Sequence, residues 1–428
     1  MLDWLTKKYL PIGLDWGSTA LRAVQLFRNG SAQRNHQDTL HVHAAMEIPF
    51  PDGFIAEPDS FDAAESLSLT RLIDQGGFIG RGVILNCPLE KMYVRPVTLP
   101  SPPTGLPREA VLGVVKLQIA DHLSFPVERA VFDYVLIDQN DRKGQITVLA
   151  FATDSDWITH RIDLLRSLGL QCVAVDAIPC TLARLARYNN YNRHNRFSQS
   201  ESENDDVALA AERDKTSGQA NEQADGILTG VLDVGFYGST LVVCAPRGPI
   251  FCRRFQLGGR GLTQALAQRL MIDERLAEKL KVTYGIDSQS RRLRISDVRE
   301  DKTDFRSDQG GVAVATAENE TARTSHEISK TIFAALQTEL NEYVEALTRT
   351  LNYVIAEQSS ARLDRILLSG SAGVMDNLDQ FLNEYFELPV VHIANPLLAE
   401  ITRYLPSTRC NIGSWTTALG LALAGEDG

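Results

Sequence analysis

Two short passages in distant parts of this 428-residue chain are near copies of each other, and they restrict its fold more than any other feature. Residues 12–27 read IGLDWGSTALRAVQLF and residues 231–245 read VLDVGFYGSTLVVCA. Each passage is an apolar strand that ends on an aspartate, a glycine turn carrying Ser and Thr, and an apolar return strand, which predicts a β-hairpin with a polar tip. Gly17 removes a Cβ, so that backbone N–H groups and the hydroxyls of Ser18 and Thr19 can approach an anion, while Asp15 can hold a hydrated cation. One such hairpin is weak testimony, because turns favour Asp, Gly and Ser in any protein. The second copy, with Asp233, Gly235, Gly238, Ser239 and Thr240, predicts a duplicated α/β fold: each half brings one phosphate loop to a shared cleft, and Asp15 and Asp233 face each other across a magnesium ion.

Two later segments extend that expectation. A strand at 251–256 runs into Leu257-Gly258-Gly259-Arg260-Gly261 and then a helix from about Leu262 to Met271, so Gly258 and Gly259 open onto helix N–H groups. The following helix, 276–284, puts Glu278 and Lys281 three residues apart on one face. Its plain reading is a surface ion pair, and its functional reading is a ribose and adenine clamp. Near the C-terminus, a strand at 365–368 leads into Ser369-Gly370-Ser371-Ala372-Gly373 and a helix with Met375, Leu378, Phe381 and Leu382 at helical spacing, so Gly370 and Ser371 are expected in a ligand-facing loop.

Composition removes other classes. Lys and Arg number 43 against 54 Asp and Glu, a formal charge of −11, which argues against a general nucleic-acid binder. No apolar run reaches the roughly 18 residues of a spanning helix, and the start lacks the order of a signal peptide, so a cytoplasmic chain without its own membrane span is expected. The six cysteines form no CxxC and sit mostly in apolar runs, which suits reduced core thiols. Leu2, Trp4, Leu5, Tyr9 and Leu10 read as a short apolar tail folded onto its own domain. Residues 187–226 are polar enough for a flexible linker, residues 287–326 read as a solvated insertion, and Glu327 to about Glu357 as a long core helix.

With these motifs in this order, the chain resembles the actin, hexokinase and heat-shock-70 superfold, and within it the PilM family of type IV pilus assembly proteins, itself similar to FtsA. IGLDWGSTALRAV resembles the family's opening. HLSFPVERAVFDYVLI at 122–137, with Phe125, Pro126, Asp133 and Tyr134, resembles a further family passage, and Arg254, Gly258, Gly259, Thr263, Glu278 and Lys281 follow another. Three positions depart from the family: Trp16 replaces its usual Ile, Arg22 its usual Lys, and the adenosine turn holds fewer glycines.

The resemblance implies an actin-like fold with two lobes around a nucleotide cleft and a small inserted αβ domain. Its parts would be 1–83 and 227–428 for the lobes, 84–186 for the inserted domain and 187–226 for the linker. It implies ATP and Mg2+ as cofactors, with Arg22 joining the residues above at the nucleotide, and weak or absent ATPase activity, since no residue stands out as a base for the attacking water. The implied partner is the cytoplasmic N-terminal peptide of a PilN-type inner-membrane protein, docking beside Phe125, Pro126 and Tyr134, with a homo-oligomer also allowed. This would place the chain at the inner membrane through its partners. A small-molecule kinase of the same superfold and a type II secretion platform protein of GspL type are the alternatives; the latter is expected to continue into a membrane span and a periplasmic domain.

Overall fold

The computed structural model describes residues 7–29, 40–51, 56, 63–100, 105–140, 144–201, 226–288, 312–358, 361–405 and 411–426. The chain begins with β1 (Lys7–Tyr9), β2 (Ile12–Trp16), β3 (Ala20–Asn29), β4 (Leu40–Pro49), α1 (Ala63–Gly76), β5 (Gly82–Cys87) and β6 (Met92–Pro100). Next come α2 (Arg108–Ile119), β7 (Ala130–Asn140), β8 (Gln145–Asp154), α3 (Ser155–Ser167), β9 (Gln171–Ala177) and α4 (Ile178–Glu201). The later part holds β10 (Ile227–Val234), β11 (Ser239–Ala245), β12 (Gly248–Phe255), α5 (Gly259–Leu270), α6 (Glu274–Tyr284) and α7 (Val312–Glu357). It ends with β13 (Arg362–Ser369), α8 (Leu378–Phe386), β14 (Val390–His392), α9 (Pro396–Ile401) and α10 (Thr416–Ala424).

Both hairpins form where the alternating apolar runs place them. β2 pairs antiparallel with β3, setting Asp15 opposite Arg22, and β10 pairs antiparallel with β11, setting Asp233 opposite Thr240. On its other side each aspartate-bearing strand takes a parallel neighbour, β5 beside β2 and β13 beside β10. The first hairpin belongs to a six-stranded sheet and the second to a five-stranded one, so the sequence repeat is also a repeat of sheet topology. A third sheet, β6-β8-β7, is small and antiparallel, with its apolar face on α2 through Val97, Val148, Val111, Val115 and Ile119.

Alternation along the strands supplies each large sheet with two buried faces. Leu14, Leu21 and Leu85 pack on α1 and α3, and Leu232, Leu241 and Leu368 pack on α5, α7 and α8. The opposite faces share one core: Val24 and Leu26 from the first sheet and Val231, Val242 and Leu367 from the second close on α4 and α10, through Leu182, Leu185, Leu419 and Ala422. Two helices sandwiched between two sheets thus hold the hairpin tips in register. Fully burying each leucine there contributes about 2 kcal/mol, so one charged substitution, as at Leu419, would part the halves.

Several elements differ from the sequence expectation. The strand at Val83–Asn86, expected in the small unit, pairs with β2 and β9 in the six-stranded sheet. The polar stretch from 187 continues α4 to Glu201, because it contains neither Gly nor Pro to stop a helix. For the same reason α7 starts at Val312 rather than at Glu327. Residues 202–225, 289–311, the tail residues Leu2, Trp4 and Leu5, and Cys410 lie outside the described residues. The other five cysteines are free thiols, and burial pushes Cys87 up to about 12. Among the described residues no helix is long and apolar enough to cross a membrane.

Candidate functional site: a cleft between two aspartate hairpins

The tips of both hairpins open into one cleft. Asp15, Gly17, Ser18, Thr19 and Arg22 line it from the first half, and Asp233, Gly235, Gly238, Thr240, Gly370 and Ser371 from the second. The first loop is a tight turn in which Gly17 N donates to Ala20 O at 3.2 Å. Arg22, carried beside Asp15 by strand pairing, is gripped by Glu47 of β4 through Nε at 2.6 Å. The second loop closes through Gly235 N to Gly238 O at 2.9 Å, and the glycine turn before α5 seals it: Gly259 N donates to Gly235 O and Arg260 N to Phe236 O, each at 2.9 Å.

Each aspartate receives a hydrogen bond from the end of its parallel neighbour. Asn86 Nδ2 of β5 donates to Asp15 Oδ1 at 3.2 Å, and Ser369 Oγ of β13 donates to Asp233 Oδ1 at 2.8 Å. Burial nonetheless dominates both carboxyls. Asp15 is pushed up to about 7 by desolvation, which outweighs the downward pull of Arg22 and is reinforced by Asp233 and Glu47. Asp233 is also raised by burial, with the Ser369 bond opposing. Two desolvated carboxyls facing one space are what a divalent cation would relieve. Among the described residues no cluster of three or more His, Cys, Asp or Glu could form an all-protein cage. Two carboxyls lining one open cleft suit Mg2+ as a donor set, since that ion keeps waters and takes phosphate oxygens with one or two carboxylates.

A second cavity, of about 690 Å³, continues the cleft and shares Thr19, Phe236 and Ser371 with it. Glu278 and Lys281 of α6 line it with Gly259 and Thr263 of α5. Lys281 Nζ is buried and donates to Glu278 Oε2 at 2.6 Å, Thr263 Oγ1 at 2.7 Å and Gly259 O at 2.8 Å. Burial lowers its pKa against the pull of Glu278. Glu278 remains half-exposed, so its carboxylate faces the cavity with hydrogen-bonding capacity to spare.

The structure sorts the expected site residues. Gly258 lines neither cavity and instead lies under the second loop, where a Cβ would stand 2.4 Å from Gly238 N. Ser239, expected at a ligand, is a correction: its hydroxyl is buried, donates to Leu257 O at 2.5 Å and accepts from Tyr343 at 2.7 Å. Strand alternation lets only one of Ser239 and Thr240 face the cleft, and it is Thr240. Sequence reasoning missed Asn86, whose signal was a lone amide at the end of the apolar run GVILNC, and Glu47, which sets the direction of Arg22. It also missed the support of Trp16, whose Nε1 donates to buried Glu65 at 2.7 Å while the Arg161 guanidinium lies 4.1 Å from the Trp16 ring.

Residues 13–198 match the family described as type IV pilus assembly protein PilM. Among solved structures, one titled a PilM-PilN type IV pilus biogenesis complex aligns over 97% of this chain and 98% of that chain, with a TM-score of 0.65 at 20% identity. The ethanolamine utilization protein EutJ from Carboxydothermus hydrogenoformans aligns over 97% and 89% of the two chains at 12% identity, with a TM-score of 0.42. The archaeal actin homolog Ta0583 aligns over 98% and 100% at 10% identity, with a TM-score of 0.41. No curated protein matches the chain in sequence. Through residues 13–198 the chain resembles type IV pilus assembly proteins of the PilM family in sequence, and over nearly its whole length it is similar in fold to the chain of the PilM-PilN type IV pilus biogenesis complex.

Proposed function

We propose that the chain is a nucleotide-binding scaffold of type IV pilus assembly that holds magnesium and ATP in the cleft between the two hairpins. The observation that carries this is the meeting of Asp15 and Asp233 in one cleft that continues into a cavity lined by Glu278, Lys281 and Ser371. Phosphates would lie against the N–H groups of both loops, the ribose against Glu278, and the base beyond Ser371. Magnesium, when bound, supplies charge neutralisation of the phosphates, and Asp15 and Asp233 orient it, Asn86 and Ser369 fixing their carboxyls. No side chain is assigned as a base for hydrolysis, so binding rather than turnover is the proposed activity.

Calorimetric titration of full-length protein with ATP, with and without magnesium, tests this reading. Asp15→Ala and Asp233→Ala should each abolish the magnesium dependence while the fold survives; unchanged binding by either variant removes that residue from the site. Glu278→Ala should weaken ATP and ADP alike, by roughly tenfold for a lost hydrogen bond to a charged group. Loss confined to ATP would move Glu278 to the phosphates.

The same reading includes a partner. β7 is an edge strand of the small sheet, and beside it lies a groove of about 360 Å³ lined by Met92, Val131, Tyr134, Phe151, Ile158 and Val175. An extended peptide can pair with a free strand edge and place alternate side chains in such a groove, and an N-terminal peptide of a PilN-type inner-membrane protein is the proposed occupant. Of the expected docking residues, Tyr134 lines the groove and Phe125 and Pro126 do not. Fluorescence anisotropy with a labelled peptide of that type checks this: Val131→Pro should abolish binding, and an unchanged affinity would place the partner elsewhere.

A further inference from the structure

One ion pair joins the two walls of the cleft. Arg254 of β12 meets Glu90, in the short 3-10 turn Leu89–Lys91 between β5 and β6, at 2.8 Å, and both side chains line the cleft. β12 returns from the second hairpin, whereas the turn leaves the strand that flanks the first, so this contact spans the halves. Strand alternation decides which of two adjacent arginines does so. Arg253 turns to α7 and donates to Thr350 Oγ1 at 2.9 Å, leaving Arg254 to face the loop. There its Nη2 lies 3.3 Å from where a Cβ on Gly238 would stand.

Its position and its hold both matter. Arg254 and Glu90 line the cleft but not the cavity of Glu278 and Lys281, so they lie at the end away from the proposed nucleoside. Their side chains are 33% and 32% exposed, and a pair so open to water is weak. Arg22, the cleft's other arginine near the loops, is only 11% exposed against Glu47 and is not free to move in the same way. A phosphate group offers a guanidinium three acceptor oxygens and a larger charge than one carboxylate, and it repels Glu90.

We propose that Arg254 reads the terminal phosphate of a nucleoside triphosphate by exchanging Glu90 for it, so that a triphosphate parts the wall-to-wall contact and a diphosphate leaves it closed. This rests on the reading of the cleft as a nucleotide site. Glu90 is then a built-in competitor, holding Arg254 in place until a third phosphate arrives.

Calorimetry on the full chain with magnesium and either adenylyl imidodiphosphate or ADP tests the exchange. Glu90→Gln should tighten the triphosphate analogue roughly two- to fivefold, the value of an exposed ion pair, and leave ADP unchanged. Arg254→Gln should weaken the analogue roughly tenfold, again sparing ADP, and Arg254→Lys should recover part of the loss. A merely structural role would move both nucleotides together. Equal shifts for the two ligands, or none, overturn the exchange while the nucleotide site stands; a parent that binds neither ligand overturns both.

Discussion

The two hairpins carry the same motif and the same topology, yet they are braced by different means. The first loop takes backbone bonds from Phe50 N to Thr19 O at 2.9 Å and from Ala56 N to Ser18 O at 2.8 Å, but leans further on side chains: Asn86 Oδ1 accepts from Trp16 N at 2.9 Å, the Trp16 indole is fixed by Glu65, and Arg161 covers its ring while pairing with Glu65 at 3.2 Å. The second loop leans mainly on backbone, with the buried Ser239 hydroxyl as a side-chain support between Leu257 O and Tyr343. It hydrogen-bonds to the turn before α5, it touches Gly258 at a distance no side chain would allow, and Ala372 N of the late turn donates to Val234 O at 2.8 Å. A duplicated ligand loop thus does not require a duplicated support. Backbone bracing makes the second loop intolerant of added atoms, and side-chain bracing makes the first intolerant of lost charges.

The largest expected effect tests the backbone side of that contrast. Gly258→Ala would drive a Cβ into Gly238 N and Phe236 O, and Gly370→Ala would meet Val234 backbone at 2.4 Å from a residue whose φ is +90°. Each should cost about 4 kcal/mol or more, read as a lowered denaturation midpoint or loss of folded protein. Gly17→Ala, with its nearest contact Ala20 O at 3.0 Å, should cost about 1 kcal/mol. Equal costs at Gly17 and Gly258 would break the comparison.

Next comes the side-chain brace. Arg161→Ala leaves Glu65, whose side chain is fully buried, without its cation, and should destabilise by about 3 kcal/mol while altering the emission of Trp16. A cost near zero would mean that the first loop does not depend on this pair.

The sequence made this contrast only half legible. Hairpins, glycine turns and the Glu278–Lys281 helix follow from local pattern, because strand alternation and turn chemistry act over a few residues. The braces do not. Arg161 reaches Trp16 from the helix after the small sheet, and Ser369 reaches Asp233 only because β13 runs parallel to β10, so both contacts depend on tertiary pairing that no local period records. Ser239 and Thr240 looked equivalent, since a turn motif does not say which of two neighbours faces the ligand. The ends of α4 and α7 were misplaced because polarity was read as a break where no breaker residue stood.

A smaller effect concerns charge in the first loop. Asp15 holds its proton more tightly in the fold, at about 7, than at its ordinary value of 3.8, so between these pH values the folded chain binds more protons than the unfolded one. In magnesium-free buffer this group's contribution makes stability fall as pH rises from about 4 to 7 and level off above. The drop should be about 2 kcal/mol, less than the full shift implies because water reaches the cleft. Asp15→Asn should flatten the slope of melting temperature against pH, and an unaltered slope would show that the carboxyl ionises without strain.

The smallest effect probes a side chain that supports the second hairpin from its parallel neighbour. Ser369 Oγ is wholly buried, donates to Asp233 and lies 2.8 Å from Thr416 Oγ1, so Ser369→Ala removes the bond that holds the Asp233 carboxyl down against desolvation. The lost bond favoured the charged form, so its removal should cost more where Asp233 is ionised than where it is protonated. At acid pH the substitution should cost about 1 kcal/mol, the value of an ordinary hydrogen bond, and the cost should rise in alkaline buffer. Denaturation curves of parent and variant across pH, without magnesium, measure this. A cost that is independent of pH would show that Ser369 serves packing against Thr416 rather than the carboxylate, and would remove it from the supports of the second loop.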